Sequence, residues 1–312
     1  MNESITCINS IFEQPWWLDA VAPGNWGSAV IKQNGRTIAR LPYVKQKRYG
    51  FRVLGMPPYT QTLGYWIDET GAKNTKKYAR HKDLITDLIN QLPKGYSVDL
   101  SLSHNCSYLF PFKWNGFKIE MAYSYRLEEI SDTERLWREL GDNIRREIKK
   151  AQKQLTIEND HSIGDLIFMQ SKTFERQGRK FKGYPDLLRR LDAALVNHNA
   201  RQLLCAVDSV GRIHAASYFV FDNNCCYYLI GGGDPELRNS GASSLLMWEG
   251  IKFASSVSKS FDFEGSMIEP IERFFRAFGG TPTPYWRVTK MNALLYFADY
   301  IKPFIKSTLG WN

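Results

Sequence analysis

Histidine and cysteine are scarce in this chain, five of each among 312 residues. No two cysteines have the C-x-x-C spacing of a metal or redox site. Cys7, Cys106, Cys205, Cys225 and Cys226 are odd in number, and three lie in apolar strand-like runs. That pattern predicts buried, reduced thiols in a cytosolic protein. There is no G-x-S-x-G elbow and no cysteine with a visible histidine partner, which argues against covalent catalysis. His104 and His161 lack a partner at ligand spacing, so no metal site is expected. His214 sits among small apolar residues and reads as a satisfied core histidine. No run reaches about 18 apolar residues, so no membrane span is expected. The first residues are polar and include Glu3, unlike a secretory signal. Acids are also short: 32 against 41 basic residues, a net charge of +9. That excess suits polyanionic partners such as phosphates, nucleic acid or an acidic membrane face, and it also serves plain solubility.

What the chain does have is length for two domains and many aromatics, 14% of all residues. It also contains a repeat. Residues 29 to 55 and 206 to 231 each read as strand, glycine turn, strand, turn, strand. An offset of 176 places Gly35 on Gly211, Arg36 on Arg212, Ala39 on Ala215, Val44 on Val220 and Gly55 on Gly231. A duplicated domain is the natural reading. Between the copies, Ser131-x-x-Glu134 has the form of a capping box. Leu136, Leu140, Ile144, Ile148, Ala151 and Leu155 then recur at helical spacing and predict one continuous buried face. Further helices are expected over 162–177, 185–197, 242–256, 268–278 and 292–306. The expected domains are 1–130, 131–290 and a C-terminal helix in 291–312 that packs on the first.

The most informative stretch runs from Tyr228 to Gly280. A strand ends in Ile230, Gly231, Gly232 and Gly233; small residues then open a helix at Ala242. Free amides and a helix dipole at such a junction form a cradle for a phosphate-bearing ligand.

The order of helices, meander, glycine break, helix, strand, helix and strand resembles the GNAT acyltransferase fold. Phe261-Asp262-Phe263-Glu264-Gly265-Ser266 and Phe274-Phe275-Arg276-Ala277-Phe278-Gly279 are similar to the closing signature of the FemABX family, D-F-G-G followed by F-K-x-x-F-G. Ile144 to Lys153 resembles that family's basic helix. The resemblance implies an α/β protein of two tandem GNAT-like domains, each a mixed, mostly antiparallel sheet flanked by helices. It implies acyl transfer to an amine, with an acyl-CoA co-substrate and no metal. The acceptor would be a cell-envelope precursor or a small molecule. Two alternatives stay open: aminoacyl-tRNA-dependent addition to a peptidoglycan precursor, and a non-catalytic module that binds anionic ligands. The expected location is the cytoplasm. Phe275 stands where the FemABX pattern has lysine, and no long paired-helix arm is present.

Arg238-x-x-Gly241-x-Ser243 is close to the GNAT pyrophosphate loop. The resemblance therefore assigns CoA contacts to Ile230, Gly231, Arg238, Gly241, Ala242, Ser243 and Ser244; an ordinary capped helix would use the same residues. Transfer to an amine requires a proton acceptor. Glu264 is the first candidate and Asp262 the second; strand alternation would place both on one face. Asp262 is also a candidate for pairing with an arginine. Tyr285 and Tyr228 are candidate general acids, although tyrosines in such strands usually belong to the core. Arg145, Arg146, Lys149, Lys182 and Arg276 are candidate contacts for a substrate or polyanion, or simply solvated positive charge. In the first domain, Trp16-Trp17 and the loop from Met56 to Thr62 lack an anion motif. They suggest acceptor binding or core packing.

Overall fold

The computed structural model describes residues 5–176, 184–265 and 267–298. The chain divides into two compact units, Met1–Ala122 with Pro284–Asn312, and Tyr123–Thr283.

The first unit contains α1 (Pro15–Val21), β1 (Trp26–Gln33), β2 (Arg36–Arg48), β3 (Phe51–Gly55), β4 (Trp66–Ile67), α2 (Asn74–Asn90), β5 (Ser97–Leu102) and α3 (Phe110–Trp114). β1, β2 and β3 form the predicted meander. Its two turns are Asn34-Gly35 and Tyr49-Gly50, all four residues at positive φ. That geometry matches the twist of the flanking strands. α2 carries the chain across to β5, which lies parallel to β3. It buries Leu84, Ile85 and Leu88 against Leu41, Leu54 and Leu100. β6 (Lys118–Glu128) begins in this unit and ends in the second. The Trp16-Trp17 pair is core: Trp17 is fully buried and its indole N–H donates to Thr60 at 3.0 Å.

The second unit continues with α4 (Thr133–Glu139), α5 (Asp142–Ala151), β7 (Leu155–Glu158), α6 (Ile163–Arg176), α7 (Pro185–Asn197), β8 (Arg201–Asp208), β9 (Ile213–Phe221), β10 (Cys225–Gly233), α8 (Ala242–Val257), β11 (Ser260–Asp262), α9 (Glu269–Arg276) and β12 (Thr281–Lys290). The strand order here is β6-β11-β10-β9-β8-β7. Among the described residues of this unit only β10 and β11 are parallel, joined by α8. Consecutive residues of β9 point to opposite faces. Tyr218 donates its hydroxyl to Asp192 of α7, while Phe219 packs under Gly250 of α8, where a Cβ would fall 2.1 Å from the ring. α7 and α8 therefore cover opposite faces of the sheet.

Both units share one plan: meander, crossover helix, parallel strand, short helix, antiparallel strand. The fold is thus two tandem GNAT-like domains, each with a mixed, mostly antiparallel sheet. The closing strands are exchanged. The end of β6 pairs with β11 in the second unit, and the end of β12 pairs with β5 in the first. This exchange displaces the division from the expected 130/131 and 290/291. The residues from Tyr123 and from Pro284 go with the strands they bond.

The expected single helix over Leu136–Leu155 is two helices. Leu140 and Gly141 adopt extended backbone, and the Gly141 amide bonds Ala277 O at 2.8 Å. All six apolar positions are nonetheless buried, with Leu155 in β7. The α4 cap is Asp132, whose carboxylate accepts from the Arg135 amide at 2.9 Å, and not Ser131. The helices expected over 162–177, 185–197, 242–256 and 268–278 form with ends shifted by a residue or two. The last helix starts at 293 behind Asn292, whose side chain accepts from the Leu295 amide. Its expected course beyond 298 lies outside the described residues.

Candidate active site

β10 pairs with β11 over only three positions, Cys225 to Tyr227 against Ser260 to Asp262. β10 then runs on to Gly233 with no further strand partner on that side among the described residues. A bulge between Tyr228 and Ile230 bends it. The two strands thus part after Tyr227 and leave an open edge of main-chain groups. The glycines beyond the bulge are there for contact. A Cβ at Gly231 would lie 1.9 Å from the Tyr228 hydroxyl, and one at Gly232 would meet the α6 backbone at Met169–Gln170 at 2.5 Å. Ile230 is buried.

The start of α8 lies downstream of this edge. Gly241 precedes it at φ 81. Its missing Cβ makes room for the Glu147 carbonyl of α5, 2.6 Å from where that atom would stand. Gly241 therefore serves the α5–α8 contact. The Ala242 amide bonds weakly to Ser240 Oγ at 3.4 Å, while the amides of Ser243 and Ser244 have no acceptor among the described residues. Ser243 is exposed and Ser244 buried. Arg238 is exposed and makes no ion pair among the described residues. Lys150 of α5 donates to Asn239 O at 2.6 Å. The Ser244 hydroxyl, however, is spoken for: it donates to Glu147 Oε2 at 2.5 Å. That acid shares the helix end with any incoming anion. Sequence reasoning missed it, because Glu147 lies 97 residues from Ser244 in a segment that shows only a buried apolar face and positive charge.

The two candidate acids have different surroundings. Asp262 is buried, bonds Arg126 Nη1 at 2.9 Å and accepts from Ser124. It is a structural ion pair. Glu264 lies beyond the end of β11 at φ 55, so strand alternation does not extend to it. Its amide donates to Asp262 Oδ1 at 2.8 Å. Its Oε1 is buried with no hydrogen-bond partner among the described residues. Burial first, then the neighbouring Asp262 charge, pushes its carboxyl well above the ordinary carboxylate range. A non-glycine residue at this φ costs about 1 kcal/mol or more, and such strain clusters at functional sites. Glutamate stands here where the FemABX pattern has glycine.

Tyr228 lies next to the open edge. Burial raises its hydroxyl to about 12, against a bond to Ser217. Its ring meets Phe219 and Phe275. Phe275, at the lysine position of the FemABX pattern, is buried against Tyr228 and Phe263. Arg276 faces outward, paired with Glu272 at 2.9 Å. Glu272 also accepts from the Tyr125 hydroxyl.

The remaining candidates scatter. Tyr285 belongs to the first unit. Arg145 folds back onto Asp142 and Arg138 O. Arg146 and Lys149 are exposed on α5, and Lys149 lines a groove of about 490 Å³ with Trp137, Arg138, Gln152 and Trp248. Lys182, Arg179, Lys180 and Ser266 lie outside the described residues, as does the side chain of Arg176. His161, expected to have no partner, bonds Glu158 at 2.9 Å and lies 3.6 Å from Asp165. The ligand atoms of Glu158, Asp160 and His161 fall within 4.8 Å of one another. His214 bonds Asp208 at 3.1 Å through one nitrogen, and its buried Nδ1 has no partner among the described residues.

Residues 138–265 match the family described as acetyltransferase (GNAT) domain. The match lies within the second unit. No curated protein matches the chain. Among solved structures the chain is similar to FemX, at 12% identity and TM-score 0.71, over 93% of this chain and 95% of that one. It is also similar to the C-terminal domain of a putative lysylphosphatidylglycerol synthetase from Agrobacterium fabrum, at 12% identity, TM-score 0.56, and 92% and 89% coverage. L-PGS from Bacillus licheniformis follows at 10% identity, TM-score 0.51, and 88% and 87% coverage. At such identities these likenesses concern the fold. The family match over residues 138–265 supports acyl transfer; donor and acceptor are separate questions.

Proposed function

We propose that the chain moves an acyl group from acyl-CoA to an amine, with Glu264 as proton acceptor. The observation that carries this reading is a strained glutamate two residues beyond β11, whose carboxyl Oε1 is buried with no hydrogen-bond partner among the described residues. A bound acyl-CoA supplies the activated acyl group. The open edge of β10 offers main-chain partners to an extended, amide-bearing arm, and the unbonded amides of Ser243 and Ser244 face an anion at the α8 start, with Arg238 nearby in sequence. Forming the amide joins the amine nitrogen to the acyl carbon, breaks the carbon–sulfur bond and releases one amine proton. Glu264, poised above the usual carboxylate range, takes that proton, which is then free to neutralise the departing thiolate. Asp262, clamped by Arg126, fixes the Glu264 main chain.

The FemABX resemblance favours an amine of a cell-envelope precursor as acceptor. The same resemblance supports an aminoacyl-tRNA donor, and the exposed Arg146 and Lys149 would then contact phosphates. Calorimetry with acetyl-CoA separates the two. Micromolar binding that stabilises the protein against heat supports acyl-CoA. Stabilisation by aminoacyl-tRNA alone refutes it.

A further inference from the structure

α3 is a five-residue helix with two unlike faces. Pro111 and Phe112 point into the core of the first unit, while Phe110 and Trp114 point out, 59% and 62% exposed. The outward pair is i, i+4 on the helix and stacks at 5.6 Å. Phe110 meets Tyr108 at 5.5 Å, and Tyr108 stacks on Tyr78 of α2 at 5.2 Å. The result is an aromatic ladder of four rings, three of them exposed. It is held rigidly. The Tyr65 hydroxyl accepts from the Tyr108 amide at 3.0 Å and lies 3.2 Å from its carbonyl.

A basic rim borders the ladder. Lys113 is exposed on α3 and makes no ion pair among the described residues. Lys290 reaches Asn115 O, one residue past Trp114, at 2.9 Å. Lys118 pairs with Glu120 at 2.8 Å. Tyr296 sits in the helix starting at 293, which buries Leu295 and exposes Leu294, Tyr296 and Phe297. One region of the first unit thus shows aromatic rings, aliphatic side chains and lysines.

Exposed apolar area of this kind marks an interaction surface. We propose that this face docks the protein peripherally on an anionic lipid bilayer. Rings with lysines beside them are the composition of a membrane interface, where tyrosine and tryptophan sit at headgroup level and lysine meets anionic lipid. A single-stranded nucleic acid fits less well. The Phe110–Trp114 and Tyr78–Tyr108 rings already stack on each other at 26° and 30°, so those faces are closed to bases. A second copy would bring lysine rim against lysine rim. Among the described residues no helix is long and apolar enough to cross a membrane, so attachment by this face would be superficial.

The test is flotation of the full chain with vesicles of phosphatidylcholine alone and with 30% phosphatidylglycerol. The wild type should float with the anionic vesicles and much less with the neutral ones. The double variant Phe110→Ser/Trp114→Ser should lose binding tenfold or more without lowering the melting temperature, since both side chains are exposed. Lys113→Glu should lose about fivefold or more, from about 1 kcal/mol per lysine at an anionic surface. Failure of the wild type to float on anionic vesicles overturns the proposal, as does equal flotation of the double variant. It is also overturned if the double variant instead dissociates a dimer or loses binding to single-stranded RNA. None of these outcomes depends on acyl-CoA binding.

Discussion

The Glu264 amide donates to Asp262 Oδ1 at 2.8 Å, and Asp262 is itself held by Arg126 at 2.9 Å. One acid is fixed so that the next, two residues on, stands free. Glu264→Gln should lower kcat by about 100-fold or more, the usual worth of a general base, with acetyl-CoA affinity little changed. Steady-state kinetics beside calorimetry make the comparison; a fully active variant removes Glu264 from the chemistry.

The same residue predicts a pH effect on stability. Its folded-state pKa is raised, so the native state holds its proton more tightly than the unfolded chain does. Wild-type stability should therefore fall as pH rises from the ordinary glutamate value through the raised one. Glu264→Gln removes that loss. Its melting temperature should exceed the wild type's at pH 8, by about 2–4 °C for each 1 kcal/mol regained. The gap should vanish near pH 4. An equal gap at both pH values would mean that the carboxyl does not titrate differently on folding.

At the α8 start, Glu147 competes with any anion. Glu147→Gln keeps an acceptor for the Ser244 hydroxyl and deletes the charge. Acetyl-CoA should bind about two- to fivefold tighter, from about 0.3–1 kcal/mol at a helix end. Titration calorimetry at low salt would detect this, and unchanged affinity would place the diphosphate elsewhere.

Ser243→Glu and Gly241→Val separate binding from folding. An exposed glutamate in the first turn suits the helix, so Ser243→Glu should melt no lower than the wild type while donor affinity drops tenfold or more. Gly241→Val should instead unfold the α5–α8 contact, losing about 1–3 kcal/mol from backbone strain alone before the clash with the Glu147 carbonyl. Thermal melts with and without acetyl-CoA distinguish the two.

Arg126 and Asp262 form a buried pair with both side chains under a tenth exposed. Arg126→Met should cost about 3–5 kcal/mol by stranding the Asp262 charge, and adding Asp262→Asn should recover part of it. Denaturant unfolding of the single and double variants is the measurement.

Much of this was legible in advance. Glycine turns and alternating apolar residues marked both meanders, and the offset between Gly35 and Gly211 exposed their kinship. Local signals failed where distant residues decide the outcome. Leu140 and Gly141 break a helix that spacing alone would continue, because the Gly141 amide is claimed by Ala277 O. Asp262 and Glu264 look alike in sequence. Arg126, 136 residues away, makes one structural and leaves the other free. In sequence Gly241 suggests room for a phosphate, yet it accommodates a carbonyl from α5. The strand exchange between β6 and β12 had no signature in either strand. The aromatic ladder escaped notice because Tyr78, Tyr108, Phe110 and Trp114 reveal their common surface only when folded.

The early parting of β10 from β11 bears on how such a transferase can change over time. Groups offered by the main chain do not depend on which side chains accompany them. Apart from Gly231 and Gly232, whose missing Cβ atoms the fold itself requires, positions along that edge can drift without changing what the main chain offers, and a lineage can diverge widely in sequence while keeping such an edge. Choice among acceptors must then be written where side chains count.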